Sequence, residues 1–186
     1  MYQINTYYGN TVDFQNPCID QIDIRDIAHN LSFENRFLGQ TEIPYSVAQH
    51  CVLGSAILEE TGYPDLALVF LLHDASEAYV KDIPTPLKKL LGVTYSSIES
   101  IFQVKIFQRF NLNPFDIDRP EIKKMDLIML ATEKKQLLPN GNLEWPQLKD
   151  IPTANIYISP WSHEVAEREF LAQFNKLIKE VNNGWS

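Results

Sequence analysis

The chain has 186 residues, of which 45% are hydrophobic and 22% charged, and its formal net charge is −8 at pH 7. We expect one globular domain over residues 1–186, with a substantial core. The negative charge argues against broad binding to duplex nucleic acid, which needs a basic surface. The longest apolar run has about seven residues, whereas a bilayer span needs roughly 20, so we expect no membrane association and a cytoplasmic location.

The two cysteines, Cys18 and Cys51, form no CxxC pattern. A disulfide scaffold or a thiolate zinc site would need more cysteines at closer spacing. We therefore expect two reduced thiols.

The first part of the chain predicts an arm and two helices. Weak alternation over 1–16, with a glycine between tyrosine-rich segments, is typical of a short hairpin or an extended arm. Apolar residues at helical spacing predict a helix over 22–31. Pro44 suits a first helical turn, so a second helix is predicted from there to the residue before Gly62.

The rest of the chain predicts four further helices, separated by proline-containing loops. The first of them opens at Pro64 and continues through the sequence HDASEAYV to about Lys81, where two nearby prolines end it. Residues 139–160 form a long proline-rich loop before the last helix. The remaining helices are predicted over 95–110, 121–138 and 162–181.

The sequence LLHDASE at 71–77 places three ionisable side chains directly after an apolar run. Uncompensated burial of such groups costs several kcal/mol or more each, and a bound metal ion is the first candidate for compensation. On a continuous helix, His73 and Asp74 would lie near Glu77 one turn later and face one cavity. By itself, an HD dipeptide is more often an ordinary hydrogen-bonded pair.

Two more polar residues are predicted to lie on apolar helix faces. His50 and Asp126 each have aliphatic neighbours one turn away, where a helix normally buries hydrocarbon. With His73 and Asp74 they make a His2Asp2 set, which favours a catalytic divalent cation with open water positions, of the type Mn, Fe, Co, Zn or Mg. The alternative is a neutral buried hydrogen-bond network.

The order H…HD…D resembles the HD-domain phosphohydrolases. The chain is most similar to their 5′-deoxynucleotidase branch, in which an Asn-Arg-aromatic segment precedes the first histidine, and members with similar motifs include phage dATP triphosphohydrolases. The shared segments lie within about 22–138 and are Asn35-Arg36-Phe37, YSVAQH at 45–50, HDASE at 73–77 and DIPTP at 82–86.

The resemblance implies an all-α HD-domain helical bundle, with the short arm or hairpin at its N-terminus. It also implies that the metal ligands are His50, His73, Asp74 and Asp126. Glu77 would accept a proton from the attacking water, although an i+4 ion pair with Lys81 is the alternative. Asp82 matches an acid that contacts the sugar or assists catalysis, but it also suits an ordinary loop.

Four residues are candidates for substrate binding. Arg36 matches the family arginine that binds phosphate with two prongs, and a surface loop arginine is the alternative. Phe37 stands where bacterial nucleotidases carry a tryptophan that excludes a 2′-hydroxyl. Lys81 and Lys88 are candidates to neutralise outer phosphates or are exposed to solvent only.

The resemblance therefore implies a metal-dependent phosphohydrolase with a deoxynucleotide substrate. The leading reaction is hydrolysis of dATP to deoxyadenosine and triphosphate, which would shape the dNTP pool of a phage-infected cell. The alternatives are a 5′-deoxynucleotidase acting on dNMPs and, from another class, a non-catalytic nucleotide-binding module. We also expect a homo-oligomer. The N-terminal arm and the loop over 139–160 lie outside the shared motifs.

Overall fold

The structure is a computed structural model that describes residues 2–139, 141 and 143–183. These residues form eight α-helices and one small antiparallel sheet, so the predicted all-α fold class is confirmed. The strands are β1 (Gln3–Asn5) and β2 (Thr11–Asp13). The helices are α1 (Ile24–Phe33), α2 (Val47–Glu60), α3 (Pro64–Leu71), α4 (Glu77–Val80), α5 (Thr85–Leu91), α6 (Val93–Arg109), α7 (Pro120–Leu137) and α8 (His163–Asn183).

The N-terminal arm is a hairpin, in which Ile4 pairs with Val12. Asp26 of α1 is fully buried and accepts hydrogen bonds from the Tyr8 N–H and the Asn10 side-chain amide, both at 2.9 Å. A buried carboxylate needs such partners. The hairpin is thereby attached to the bundle through its turn.

Helix α2 runs through the centre of the core and packs closely against α3. Gly54 makes this approach possible, because a Cβ atom at that position would overlap the ring of Phe70. Phe70 is fully buried, as is Phe170 of α8 on the same core. This packing of α2 against α3 sets the distance between His50 and the HDASE segment.

The predicted continuous helix through HDASE is wrong, because α3 ends at Leu71 and residues 72–76 form turns before α4. In a continuous helix, the Ser76 N–H would donate to the Leu72 carbonyl. The side-chain amide of Gln103 lies between these groups instead: its Nε2 donates to Leu72 O at 2.7 Å, and its Oε1 accepts from Ser76 N at 3.1 Å. An inserted side chain of this kind interrupts a helix.

Helix boundaries also differ around the prolines. Pro44 lies before α2, which begins at Val47 with Ser46 as its N-cap. Pro84 and Pro86 end one helix but also begin another, α5, because a proline in the first turn loses no hydrogen bond. Helix α5 buries none of its residues, although Leu87, Leu90 and Leu91 have helical spacing.

The proline-rich loop before α8 is tied to the bundle by polar side chains. Thr132 Oγ1 accepts from the Ala154 N–H at 2.8 Å, and the Gln136 side chain bonds the backbone of Ile156 and Ile158, both at 2.9 Å. Gln49 of α2 bonds the Ser159 carbonyl and the Trp161 N–H in the same way, at 2.9 Å each. The loop therefore follows α7 and has a defined path.

Both cysteines are free; Cys18 is exposed and Cys51 is buried. Within the described part of the chain, no helix combines the length and apolar character needed to cross a membrane.

Candidate metal centre and adjoining pocket

Four predicted ligands converge from three parts of the chain. His50 lies on α2, His73 and Asp74 lie in the turns after α3, and Asp126 lies on α7. The Nε2 atom of His73 is 3.2 Å from Asp74 Oδ2 and 3.9 Å from Asp126 Oδ1. The Nε2 atom of His50 is 3.8 Å and 3.4 Å from the same two oxygens.

The donor set fits a cation. Ligand atoms of His50, His73 and Asp74 all lie within 4.8 Å of one another, so this cluster could hold a metal ion. The Nε2 atoms of both histidines are buried and have no hydrogen-bond partner. Two such nitrogens beside two carboxylates would leave buried polar groups uncompensated, and a divalent cation among them removes that cost.

The Nδ1 contacts of His73 and His50 explain why their Nε2 atoms face the candidate metal site. His73 Nδ1 lies 2.6 Å from the Phe70 carbonyl, which can only accept, so Nδ1 carries the proton. His50 Nδ1 lies 2.6 Å from Glu133 Oε1. In metal sites, a carboxylate or carbonyl on one ring nitrogen orients the other nitrogen toward the metal.

Glu133 is a site residue that the sequence reasoning missed. It is fully buried and accepts hydrogen bonds from Tyr45 Oη at 3.0 Å and Arg36 Nε at 3.0 Å, in addition to its contact with His50. Burial alone would raise its pKa, but Arg36 and His50 lower it. The sequence could have indicated Glu133, because it lies seven residues after Asp126 and therefore two turns along the same face of the helix.

The candidate metal-ligand cluster opens into a pocket of about 660 Å³. Asp126 faces this opening rather than the core, since 42% of its side chain is exposed. The aliphatic neighbours in the sequence had predicted a buried carboxylate. Of the predicted site residues, those that line the pocket are Arg36, Phe37, Asp74, Glu77, Asp82, Lys88 and Asp126.

Arg36 is buried rather than a surface loop residue. Its N–H donates to the Tyr45 carbonyl at 2.9 Å, which anchors the segment before α2. The guanidinium donates from Nε to Glu133, and Nη1 lies 3.5 Å from Asp74 Oδ2. These carboxylates hold the pKa of Arg36 well above its usual value despite burial. The positively charged guanidinium of Arg36 is thus fixed beside the candidate metal-ligand cluster.

Phe37 and Leu38 adopt left-handed backbone conformations, with φ of 58° and 54°. For residues other than glycine, such conformations cost about 1–3 kcal/mol and persist at functional sites when the surrounding structure enforces them. Gly39 continues the left-handed path with φ of 72°. This backbone presents the Phe37 ring to the pocket.

Glu77 lies in the pocket, and the alternative ion pair with Lys81 is not formed, because Lys81 pairs with Glu34. Its Oε2 atom is buried and has no hydrogen-bond partner, and its Oε1 atom is 3.8 Å from Lys88 Nζ. Burial and the charge of Asp74 raise the pKa of Glu77 well above its usual value. A carboxyl group with a raised pKa holds a proton more readily than an exposed glutamate does.

Lys81 and Lys88 have different positions. The structure does not bring Lys81 to the pocket: its Nζ atom is paired with Glu34 Oε2 at 2.6 Å, and 57% of its side chain is exposed. Lys88 lines the pocket, with Nζ 2.6 Å from Glu99 Oε1. The positive φ of 78° at Lys81 turns the chain at the end of α4, which directs this side chain away.

Asp82 lines the same pocket, and its N–H donates to Glu34 Oε1 at 3.3 Å. Burial raises the pKa of its carboxyl group. It is therefore a second pocket acid that can exchange a proton more readily than an exposed aspartate.

The proline-rich loop contributes residues that the sequence motifs did not indicate. Trp145 and Gln147 line the pocket, and the centroid of the Trp145 ring is 6.2 Å from that of Phe37. Their position in the chain, far from the HD motifs, gave no signal of this placement. The loop thus forms one wall of the candidate site.

No family model matches this chain. Its sequence is 37% identical over 175 residues to the uncharacterized protein YfdR of Escherichia coli K12, a match that covers 94% of each chain. It is also 33% identical over 138 residues to an uncharacterized protein of Rhodobacter capsulatus, with 69% of each chain covered. The chain therefore belongs to the family that contains YfdR and its Rhodobacter relative.

Proposed function

We propose that the protein is a metal-dependent phosphohydrolase of the HD-domain type that acts on deoxynucleotides. One observation supports this most strongly: two buried imidazoles with unpartnered Nε2 atoms face two carboxylates in an open pocket that also holds a fixed arginine. Buried cation ligands next to a phosphate-binding group are the combination that hydrolysis of a phosphate ester requires.

In this proposal His50, His73, Asp74 and Asp126 hold the metal. A divalent cation in such a site polarises a phosphoryl oxygen and lowers the pKa of bound water. The exposure of Asp126 supports access of substrate and water to the centre. Manganese, iron, cobalt, zinc and magnesium are all compatible with nitrogen and oxygen ligands.

Arg36 binds the phosphate group of the substrate. Its Nε atom is fixed by Glu133 and its Nη1 atom lies 3.5 Å from Asp74 Oδ2, so Nη2 and the remaining N–H of Nη1 are the donors toward a phosphate in the pocket. A guanidinium held in this way loses little side-chain entropy when it binds phosphate. Lys88 adds a second positive charge from α5.

Glu77 accepts the proton of the attacking water. Its support is the buried and unpartnered Oε2 atom in the pocket, together with the raised pKa of the carboxyl group. Asp82 has a similar environment and assists by contacting the sugar or by proton transfer. Phe37 limits the space beside the sugar and thereby favours a deoxyribose.

The charge of the pocket bears on the substrate. Its described lining contains two cationic side chains, Arg36 and Lys88, against five carboxylates. Even with the two charges of the proposed divalent cation, acidic side chains outnumber the positive charges, which favours the two charges of a nucleoside monophosphate over the four of a triphosphate. A 5′-deoxynucleotidase is therefore the first candidate reaction.

Hydrolysis of dATP to deoxyadenosine and triphosphate is the second candidate. The pocket volume of about 660 Å³ supports this reaction, because a site of that size admits a triphosphate chain as well as a nucleoside. A non-catalytic nucleotide-binding module is the alternative from another class. The three differ in their products, so one assay separates them.

The experiment is a product assay on the purified protein with Mn²⁺, Co²⁺, Zn²⁺ or Mg²⁺ added separately. Each dNMP, each dNTP and ATP is supplied, and phosphate, pyrophosphate and triphosphate are quantified, with Glu77→Gln as the control for contaminating phosphatase. Phosphate released from dNMPs supports the nucleotidase, and triphosphate released from dATP supports the triphosphohydrolase. Binding without any product would refute catalysis and leave the binding module.

A further inference from the structure

We infer that Trp145, together with Phe37, forms a nucleobase-binding subsite on the wall of the pocket made by the proline-rich loop. The inference rests on the proposed function for the class of ligand. It is carried by the placement of Trp145: the indole and the Phe37 ring lie 6.2 Å apart with an interplanar angle of 44°, in the same pocket as Asp74 and Asp126.

Trp145 is held in place from the side of α7. The Nζ atom of Lys134, the residue after Glu133, lies 4.8 Å from the centroid of the indole ring. A cation over an aromatic face is an attractive contact that orients the ring. Within the loop, the Trp145 carbonyl accepts from the Leu148 N–H at 2.9 Å, which closes a tight turn. The indole is therefore preorganised.

Phe37 is held from the other side of the pocket. Its left-handed backbone is closed by the Gln40 N–H, which donates to the Phe37 carbonyl at 3.0 Å. The guanidinium of Arg36 lies 5.4 Å from the Phe37 ring centroid. The ring thus adjoins the group that would bind phosphate, at the position where a nucleoside continues from its phosphate.

The chemistry of this wall selects a planar ligand. Aromatic side chains bind nucleobases by stacking, whatever the identity of the base, because every base presents a π face. The side-chain amides of Gln40 and Gln147 also line the pocket and can each both donate and accept at a base edge. A phosphate-binding arginine beside such a wall fits a nucleotide better than a simple phosphate ester.

An apolar rim adds to this argument. Leu38 and Leu143 line the pocket yet are 58% and 75% exposed. Exposed aliphatic side chains beside an aromatic wall gain from covering by a flat, largely apolar ligand. The alternative is that Trp145 only attaches the loop to α7 through Lys134. That role would not explain why the indole lines a pocket with exposed leucines at its edge.

The test measures binding by titration calorimetry in a Glu77→Gln background with Mn²⁺, so that no ligand is consumed. The probes are dAMP, deoxyadenosine and 2-deoxyribose 5-phosphate, which lacks a base. We expect Trp145→Ala to weaken dAMP and deoxyadenosine roughly 5- to 150-fold, the usual effect of removing one stacking side chain, and to leave 2-deoxyribose 5-phosphate unchanged. Trp145→Phe should retain most of the affinity.

Two further variants serve as controls. Tyr157→Ala removes an aromatic residue of the same loop that is 88% exposed and lies outside the pocket, so it should leave all three affinities unchanged. Trp145→Leu preserves a large apolar side chain for the contact with α7 but cannot stack in the same way, and it replaces Trp145→Ala if that variant fails to fold. Trp145→Ala and Trp145→Leu should each lose affinity for dAMP and deoxyadenosine selectively.

Unchanged dAMP affinity in both variants, equal loss of all three probes, or no binding of dAMP to the wild-type pocket would overturn the subsite. The outcome is separable from that of the proposed function. Selective loss of deoxyadenosine together with no hydrolysis of any nucleotide would keep the subsite and refute the phosphohydrolase. If the protein hydrolyses nucleotides and Trp145→Ala does not change KM, the phosphohydrolase stands and the subsite is refuted.

Discussion

The Nδ1 atom of His50 lies 2.6 Å from Oε1 of Glu133, and both side chains are fully buried. Through its other oxygen, Glu133 also fixes Arg36. One carboxylate on α7 therefore orients a candidate metal ligand and the candidate phosphate-binding residue together. This relationship makes Glu133 a positioning residue for both.

Glu133→Gln tests that role. The amide cannot accept two charge-assisted hydrogen bonds as a carboxylate does, so we expect metal affinity to fall roughly 10- to 100-fold, as for other outer partners of ligand histidines. KM for nucleotide should rise as well, because Arg36 loses its anchor. Metal competition with a chelator measures the first effect, with the exposed Glu60→Gln on α2 as control. Unchanged metal affinity would contradict the assignment.

Asp126→Ala should remove bound metal and activity while leaving a stable fold. The side chain is 42% exposed, so the fold should survive its loss, but the free energy of unfolding should fall because bound metal is lost and the Nε2 atoms of His50 and His73 lose their neighbour. Elemental analysis after purification gives the metal content, and urea unfolding gives the stability. Asp118→Ala, at a position whose side chain is 69% exposed, is the matched control. Full metal occupancy in Asp126→Ala would refute its role as a ligand.

Glu77→Gln should separate binding from turnover. The substitution keeps the shape of the side chain but removes the proton acceptor, so we expect kcat to fall roughly 10²- to 10⁴-fold with metal content retained. Steady-state kinetics on the best substrate from the product assay gives kcat and KM separately. If turnover stays near the wild-type rate, Glu77 has a structural role only.

Arg36→Lys should raise KM although it preserves the charge. A lysine ammonium cannot hold Glu133 and present a two-pronged donor to phosphate at the same time. Nucleotide affinity by calorimetry and KM by kinetics should both weaken, while the far-ultraviolet circular dichroism stays that of a helical protein. Equal affinity in the variant would rule out a bidentate phosphate contact.

Gly54→Ala tests the packing that sets the distance between α2 and α3. The added methyl group would overlap the Phe70 ring, so we expect a loss of about 1–3 kcal/mol in the free energy of unfolding, the usual cost of overpacking. Combining it with Phe70→Leu should cost less than the sum of the two single changes, because the smaller side chain makes room. Strict additivity would mean that the two residues do not collide.

Several helical segments and the residues that could hold a metal ion were predictable from the sequence alone. Helices α6, α7 and α8 lie within a few residues of their predicted ranges, because a 3.6-residue apolar pattern is a local property. The convergence of His50, His73, Asp74 and Asp126 was also predicted, since polar groups on apolar faces need partners.

The details of the site depend on how distant parts of the chain pack together. Gln103 interrupts the HDASE segment through bonds to residues about 30 positions earlier, Glu133 joins His50 to Arg36, and Trp145 reaches the pocket from a loop outside the motifs. Hydrogen bonds and ring contacts between residues distant in the chain depend on how the helices pack. They therefore leave no periodic trace in the sequence around either partner.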